Sequence, residues 1–374
     1  MIWCAFASLV GWIAFHHLGI DPIQHYMDDF WSFGKSPRHS LYGDRLLPDS
    51  QVRFLNLLDQ LRIPHKPEKQ VYGHKLTIIG FEVDPNAMTI TMAEDKKRDL
   101  VERIRTFVAK EIDPKSGKAM DRRPTLREWQ QMLGEMNWAL NILPLARPGL
   151  NSSYRKISTR PTKDRDKNTS ATKPRGPHTR IHHNQSTVRD LLWFANHLET
   201  CKGVHIIRSQ LWAPQSAQRV AFVDACLEGL GVFLPPHDFR ERPTALYCRL
   251  EGDQIYGDIF HNEMLAILCA LLYFSVHPEP NLSRILINSD SLDSVQVFHS
   301  LSTNSTTVSP VLMASAGVIM DNGFIPRVIH IPGKENVDAD CLSRGLFAPV
   351  IARWPLLRLF RINPPLDTVR GGRL

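Results

Sequence analysis

The sequence predicts a multidomain protein of α+β and α/β class, and three observations carry that prediction. Its 374 residues are 43% hydrophobic, enough to bury two or three separate cores. Short β-rich runs and amphipathic helical patterns occur on both sides of residues 151–180, which themselves have no apolar periodicity. The charge is just as uneven. In that interval nine Lys or Arg (Arg155, Lys156, Arg160, Lys163, Arg165, Lys167, Lys173, Arg175, Arg180) face only Asp164 and Asp166, which accounts for the whole formal charge of +7. Rich also in Ser, Thr, Pro and Asn, the stretch reads as a solvated basic linker between two neutral bodies. Such a linker suits a polyanionic partner, and a solubilising tether has the same composition.

The opening run "MIWCAFASLVGWIAFHHLGI" is apolar, but it has no basic start, and Gly11, His16 and His17 interrupt it short of the ~20 residues a membrane span requires. It reads as a helix buried in a soluble core, with no membrane partner. Residues 22–33, around "HYMDDFWSFG", fit two strands joined by a tight turn at Asp28-Asp29. In "KLTIIGFEVDPNAMTITM" two β-rich runs flank Asp84-Pro85-Asn86-Ala87, where Pro fixes one dihedral and Asn tolerates the next. "AEDKKRDLVERIRTFVAK" then puts Leu100, Val101, Ile104, Phe107 and Val108 on one helical face, with acids early and Lys110 late. A second helix is predicted in "TLREWQQMLGEMNWALNIL", where Thr125 and Glu128 have capping-box spacing.

The second half continues with "RVAFVDACLEGLGVFL", a strand reaching Asp224, a turn relieved by Gly229 and Gly231, and a returning strand. "HNEMLAILCALLYF" is an apolar helix with Asn262 as its cap and Glu263 in its first turn. "RILINSDSLDSVQVF" is a buried strand, Ile285 to Ile287, ending at Asp290 ahead of a helix, and "RVIHIPGKENVDADCLSR" is a strand, a Pro-Gly turn and a segment that reaches Asp340. The six cysteines lie far apart with no Cys-x-x-Cys pair, as expected of reduced thiols in an intracellular, cytoplasmic or nuclear, protein.

Two sets of acids stand out. Asp28 and Asp29 repel each other at a turn where a structural hairpin favours Asn-Gly, and a divalent cation reverses that cost. Asp224, Glu263, Asp290 and Asp340 each sit at the edge of a different element, where side chains can converge without burying charge in the core. Taken singly, Asp290 fits a helix cap, Glu263 a first-turn acid and Asp340 a solvated charge. Taken together, converging hard oxygen ligands call for Mg²⁺ or Mn²⁺.

These residues also carry a resemblance. "YMDDF" resembles the metal-binding hairpin of reverse transcriptases, and "IIGFEVDPNAMTITMAEDKKRDLVERI" with "TLREWQQMLGEMNWALNILPLARP" is similar to the primer-gripping hairpin and thumb that follow it, closest to retroelements of the tyrosine-recombinase type. The order strand-Asp, helix-Glu, strand-Asp, helix-Asp resembles ribonuclease H, and "IPGKENVDADCLSR" is very like the closing motif of retroelement ribonuclease H domains. The resemblance implies a partial polymerase palm over residues 1–93, thumb-like helices over 94–150, the linker over 151–185 and a connection over 186–212. A ribonuclease H-like fold, a mixed β-sheet flanked by helices, follows over 213–348, with a tail at 349–374.

The activity it implies is hydrolysis of the RNA strand of RNA/DNA hybrids with two ions held by Asp224, Glu263, Asp290 and Asp340. Asp293 and Asp338 fall outside the matched positions, and Lys334 stands in the loop where many relatives have a His, with His330 on the strand before it. Asp28 and Asp29 imply a polymerase metal site, but the third Asp of that family lies on an earlier strand, and Asp21 is the one acid ahead of them. The chain therefore reads as a fragment of a retroelement polyprotein, or a reading frame begun at a late Met, whose upstream part would complete the polymerase. The contrasting expectation is a catalytically silent relic or a co-opted nucleic-acid-binding module.

Overall fold

The protein is described from a computed structural model that covers residues 2–34, 38–112, 117–158, 176–205, 212–252 and 257–369. The chain forms two compact units, one of Met1–Lys96 with Lys202–Gln210 and one of Lys97–Cys201 with Leu211–Leu374.

The first unit opens with α1 (Ile2–His16), then the hairpin of β1 (Ile23–Tyr26) and β2 (Asp29–Ser32), the hairpin of β3 (His39–Tyr42) and β4 (Arg45–Pro48), and α2 (Asp49–Gln60). Its core joins Val10 and Ala14 of α1 to Leu47, Val52, Leu55 and Leu58. The expectation of a first helix buried in a soluble core holds for one face alone: Ala7, Val10 and Ala14 are buried, while Trp3, Phe6, Leu9, Trp12 and Phe15 remain exposed. Small residues make the close contact, so the apolar side chains that dominated the sequence pattern face outward. The first hairpin turn is also displaced. Tyr26 pairs with Asp29, so the two-residue loop is Met27-Asp28, and Asp29 is already in the strand. Met27 takes the left-handed backbone that such a loop requires at φ 53°. The antiparallel strands β5 (Leu76–Ile78), β6 (Phe81–Asp84) and β7 (Thr89–Met92) follow. Their second turn lies where Pro85 and Asn86 place it, fixed by the Asp84 carboxylate, which accepts from the amides of Asn86 (3.0 Å) and Ala87 (2.9 Å).

The second unit begins along α3 (Glu94–Val108), whose Leu100, Val101, Ile104 and Phe107 are buried as the helical spacing requires. After the short pair β8 (Glu111–Ile112) and β9 (Ala119–Met120) comes α4 (Leu126–Ala139), with the expected capping box: the Glu128 carboxylate accepts from the Thr125 amide at 2.7 Å. The chain continues with α5 (Asn151–Ile157) and α6 (Gln185–Thr200). The linker expected over 151–185 is thereby shortened at both ends. Asn151, Ser152 and Ser153 are buried in α5, with Asn151 hydrogen-bonded to Ser302 and Ser309. Ile181 bonds back to Pro124 at 2.8 Å. Composition marks these residues as solvated because it cannot show the polar partners that a fold supplies. The rest of that expectation, residues 159–175, lies outside the described residues. One short strand, β10 (Val204–His205), pairs with β7 and completes the first unit's four-stranded sheet.

The remainder is a six-stranded mixed sheet with its helices. In chain order it comprises β11 (Arg219–Cys226), β12 (Gly229–Leu234), β13 (Thr244–Arg249), α7 (Ile259–Val276), β14 (Arg284–Ser289), α8 (Leu292–Ser300), α9 (Val308–Asn322), β15 (Ile325–His330), α10 (Val337–Ser343), α11 (Phe347–Arg353), β16 (Arg358–Arg361) and α12 (Leu366–Val369). The strand order is β15-β14-β11-β12-β13-β16. β11 is antiparallel to β12 and parallel to β14. Alternation sorts the two faces. Leu230, Val232 and Leu246 pack with α7 and α9 in the main core, while Phe233 and Ala245 point the other way, onto Leu342 and Val350. By length and composition alone α7 could cross a membrane, but Met264 through Leu271 are buried in this core. The expected C-terminal tail is corrected too: Arg358–Arg361 extend the sheet beside β13.

Candidate metal centre

Asp224 lies near the end of β11 and is 5% exposed. Its neighbours Val223 and Ala225 belong to the α7-facing core, so the alternation turns Asp224 toward α10. The residue paired with it on β12 is Gly231, whose role is not the turn relief that the sequence implied. A Cβ at Gly231 would lie 2.3 Å from the Ala339 carbonyl oxygen and 2.6 Å from the Ser343 nitrogen, and one at Gly229 would lie 2.1 Å from the Ser343 carbonyl oxygen. Both glycines are in strand, and their missing side chains let the backbone of α10 rest on β12.

Because β14 runs parallel to β11 with Ser289 beside Val223, Asp290 emerges next to Asp224. Glu263 reaches the same place from α7, whose cap is Asp258 and not the expected Asn262. Asn262 is instead buried, and its amide donates to the carbonyls of Cys226 (3.0 Å) and Leu227 (3.2 Å), tying the start of α7 to the end of β11. Asp224, Glu263 and Asp290 each present an oxygen within 4.8 Å of the others, the one such metal-capable group among the described residues.

Electrostatics follow from this crowding. Burial pushes the Asp224 carboxyl up to about 7, opposed by the Ser343 hydrogen bond and reinforced by the charges of Asp290 and Asp340. Burial likewise pushes Glu263 up to about 8, with Asp224 and Asp290 adding to it and the Ala225 amide opposing. Oxygen Oε2 of Glu263 is buried without a hydrogen-bond partner. Three oxygen donors that repel one another, one of them unsatisfied in the interior, fit a hard divalent cation such as Mg²⁺ or Mn²⁺.

Asp340 stands apart. It lies on α10, close enough to raise Asp224, but it is outside the three-carboxylate group, and its Oδ1 accepts from Arg344 Nε at 2.7 Å. Of the expected bystanders, Asp293 is exposed at the start of α8, and Asp338 accepts from Arg353 (2.9 Å) and Trp354 (3.1 Å), holding α11 against α10. Lys334 is exposed in the turn Gly333–Glu335, and a Cβ on Gly333 would come within 3.1 Å of Asp290 Oδ2, so this turn presses directly on the acid. Two residues were missed from sequence. Ser343 Oγ donates to Asp224 Oδ2 at 2.5 Å, and the buried Asn336 donates to the Val223 carbonyl (2.8 Å) and to Asp290 Oδ1 (3.4 Å). Their position within "IPGKENVDADCLSR" was the available signal. Asp28 and Asp29 are both exposed, in the first unit.

No family model matches this chain, and no curated protein matches it. Among solved structures it is similar to the foamy viral protease-reverse transcriptase in complex with RNA/DNA hybrid, at 13% identity and a TM-score of 0.33, over 87% of this chain and 37% of that one. It is also similar to RNase H1 from the halophilic archaeon Halobacterium salinarum, at 15% identity and a TM-score of 0.28, over 35% of this chain and 98% of that one. A third similar structure is an RNase H1 isolated from compost, at 17% identity and a TM-score of 0.28, over 36% of this chain and 97% of that one.

Proposed function

We propose that the second unit hydrolyses the RNA strand of RNA/DNA hybrids with divalent metal ions held by Asp224, Glu263, Asp290 and Asp340. The observation that carries this reading is the convergence of three carboxylates from β11, α7 and the end of β14, with Glu263 Oε2 buried and unpaired. Bound Mg²⁺ or Mn²⁺ would supply Lewis-acid charge at the scissile phosphate. The chain's own residues prepare the site. Asn336 ties Asp290 to β11, Asn262 seats α7, and the surrounding core excludes bulk water from Asp224 and Glu263. In the metal-free protein, burial and the neighbouring Asp224 and Asp290 charges favour the protonated form of Glu263.

The substrate follows from the motif resemblance of residues 213–345, and a duplex of this kind is recognised by shape, 2′-hydroxyls and phosphates more than by base edges. The same resemblance supports an intracellular retroelement protein of the tyrosine-recombinase type. The test is cleavage of a labelled RNA/DNA hybrid by the full chain with Mg²⁺ or Mn²⁺, beside single-stranded RNA and duplex DNA. Metal-dependent cutting of the hybrid alone is expected. Binding of the hybrid without any cutting would overturn this reading in favour of a binding module.

A further inference from the structure

Of the three clustered acids, Asp224 receives the shortest hydrogen bond from a side chain of a distant element, since Asn336 reaches Asp290 only at 3.4 Å. Ser343 is buried at 4% exposure, and its Oγ lies 2.5 Å from Asp224 Oδ2 across 119 positions of sequence. The grip has a firm backing. Gly229 and Gly231 let the α10 backbone press onto β12, Asn336 anchors the start of α10 to the Val223 carbonyl, and Cys226 Sγ donates to the Ser343 carbonyl at 3.2 Å. From this geometry we infer that Ser343 is a positioning residue of the proposed nuclease, fixing the Asp224 carboxylate in the orientation that lets it share a cation with Glu263 and Asp290. The inference rests on the nuclease reading above.

A hydroxyl suits this task because it has one proton and two lone pairs. Ser343 Oγ has a second neighbour, the Asp340 carbonyl at 2.9 Å. With Asp224 ionised, the proton goes to its carboxylate, because a charge-assisted bond is the stronger. With Asp224 neutral, Ser343 accepts from it and donates to the Asp340 carbonyl. One rotamer therefore serves both states. The competing explanation is that Ser343 merely bonds back within its own helix, as Ser315 does to Val311 at 2.9 Å in α9.

The test is Mn²⁺ titration calorimetry on the full chain, with hybrid cleavage measured in parallel. Ser343→Ala is expected to weaken Mn²⁺ binding by about tenfold, the range found when a group that orients a metal ligand is removed. Ser343→Thr, which keeps the hydroxyl, restores it, while Ser315→Ala leaves it unchanged. Ser343→Cys preserves size but offers a weak donor, so it decides the matter should the alanine variant fail to fold. Wild-type affinity in a folded Ser343→Ala or Ser343→Cys protein would overturn the inference and leave the nuclease reading standing. A wild-type chain that binds no Mn²⁺ would overturn both.

Discussion

The two sets of acids differ in how they come together. Asp28 and Asp29 are neighbours in sequence, exposed, and displayed by a two-residue hairpin loop and the strand after it. Asp224, Glu263 and Asp290 are separated by 39 and 27 positions, and only the parallel pairing of β11 with β14 and the seating of α7 gather them. Adjacent exposed acids can separate their charges into water and need little from a fold. Acids gathered from three elements, Asp224 and Glu263 buried and Asp290 half-buried, cannot, so the fold must overcome their repulsion and desolvation, and a fold that does so has a use for the charge. The second cluster is accordingly the stronger candidate for chemistry, although the first has the more familiar sequence pattern.

The comparison is sharpened most by cleavage. Asp290→Asn keeps the shape of the side chain and removes a ligand charge, so hybrid hydrolysis is expected to fall by about a thousandfold, the equivalent of several kcal/mol of charge stabilisation. Stability is expected to change by less than about 1 kcal/mol, and the exposed Asp293→Asn to change neither quantity. Timed gel assays and thermal melts of the three proteins check this. Equal losses from both substitutions would mean that the carboxylate has been misassigned.

The next effect concerns pH in the metal-free protein. The folded state raises Asp224 from 3.8 to about 7 and Glu263 from 4.5 to about 8. Between those values the native state keeps protons that the unfolded chain has released, so stability falls as pH rises. Their contribution is fully present below the unfolded values and is lost as pH climbs through 7 to 8. Glu263→Gln removes the carboxyl that must ionise, so in chelator the variant is expected to gain on wild type by about 2–4 kcal/mol between pH 5 and pH 9. Urea denaturation at the two pH values measures it, and a constant difference would contradict the burial argument. Mg²⁺ at about 100 times its Kd would then stabilise wild type at pH 8 by about 2.7 kcal/mol and the Gln variant by little.

Much of the second unit was legible in sequence, and the failures share a cause. The strands through Asp224 and up to Asp290 follow from local alternation and apolar runs, and the α4 cap from the spacing of Thr125 and Glu128. Gly229 and Gly231 were misread as turn residues because the α10 backbone they accommodate comes more than a hundred positions later. The four-residue strand Arg358–Arg361 has too few alternating positions to be recognised until β13 lies beside it. Asp340 occupies its expected helix, yet its pairing with Arg344 one turn on was not anticipated, although the i,i+4 spacing was there to be read. Ser343 and Asn336 escaped because the chemistry of the site was sought among acids, whereas uncharged donors orient them.

The smallest expected effect is at the first pair, and it bears most directly on the contrast drawn above. Both carboxylates point into water, and among the described residues no third acid joins them in a metal-capable group. Two acids alone leave the coordination of a catalytic ion open, and exposed substitutions at a loop change stability by less than about 0.5 kcal/mol. Asp28→Asn is therefore expected to alter neither thermal stability nor hybrid cleavage, and the full chain is expected not to extend a primer with either Mg²⁺ or Mn²⁺. A primer-extension assay decides the point. Incorporation by wild type that disappears in Asp28→Asn would show that a complete polymerase site forms around this hairpin, and that exposure of neighbouring acids is no guide to whether they hold a metal.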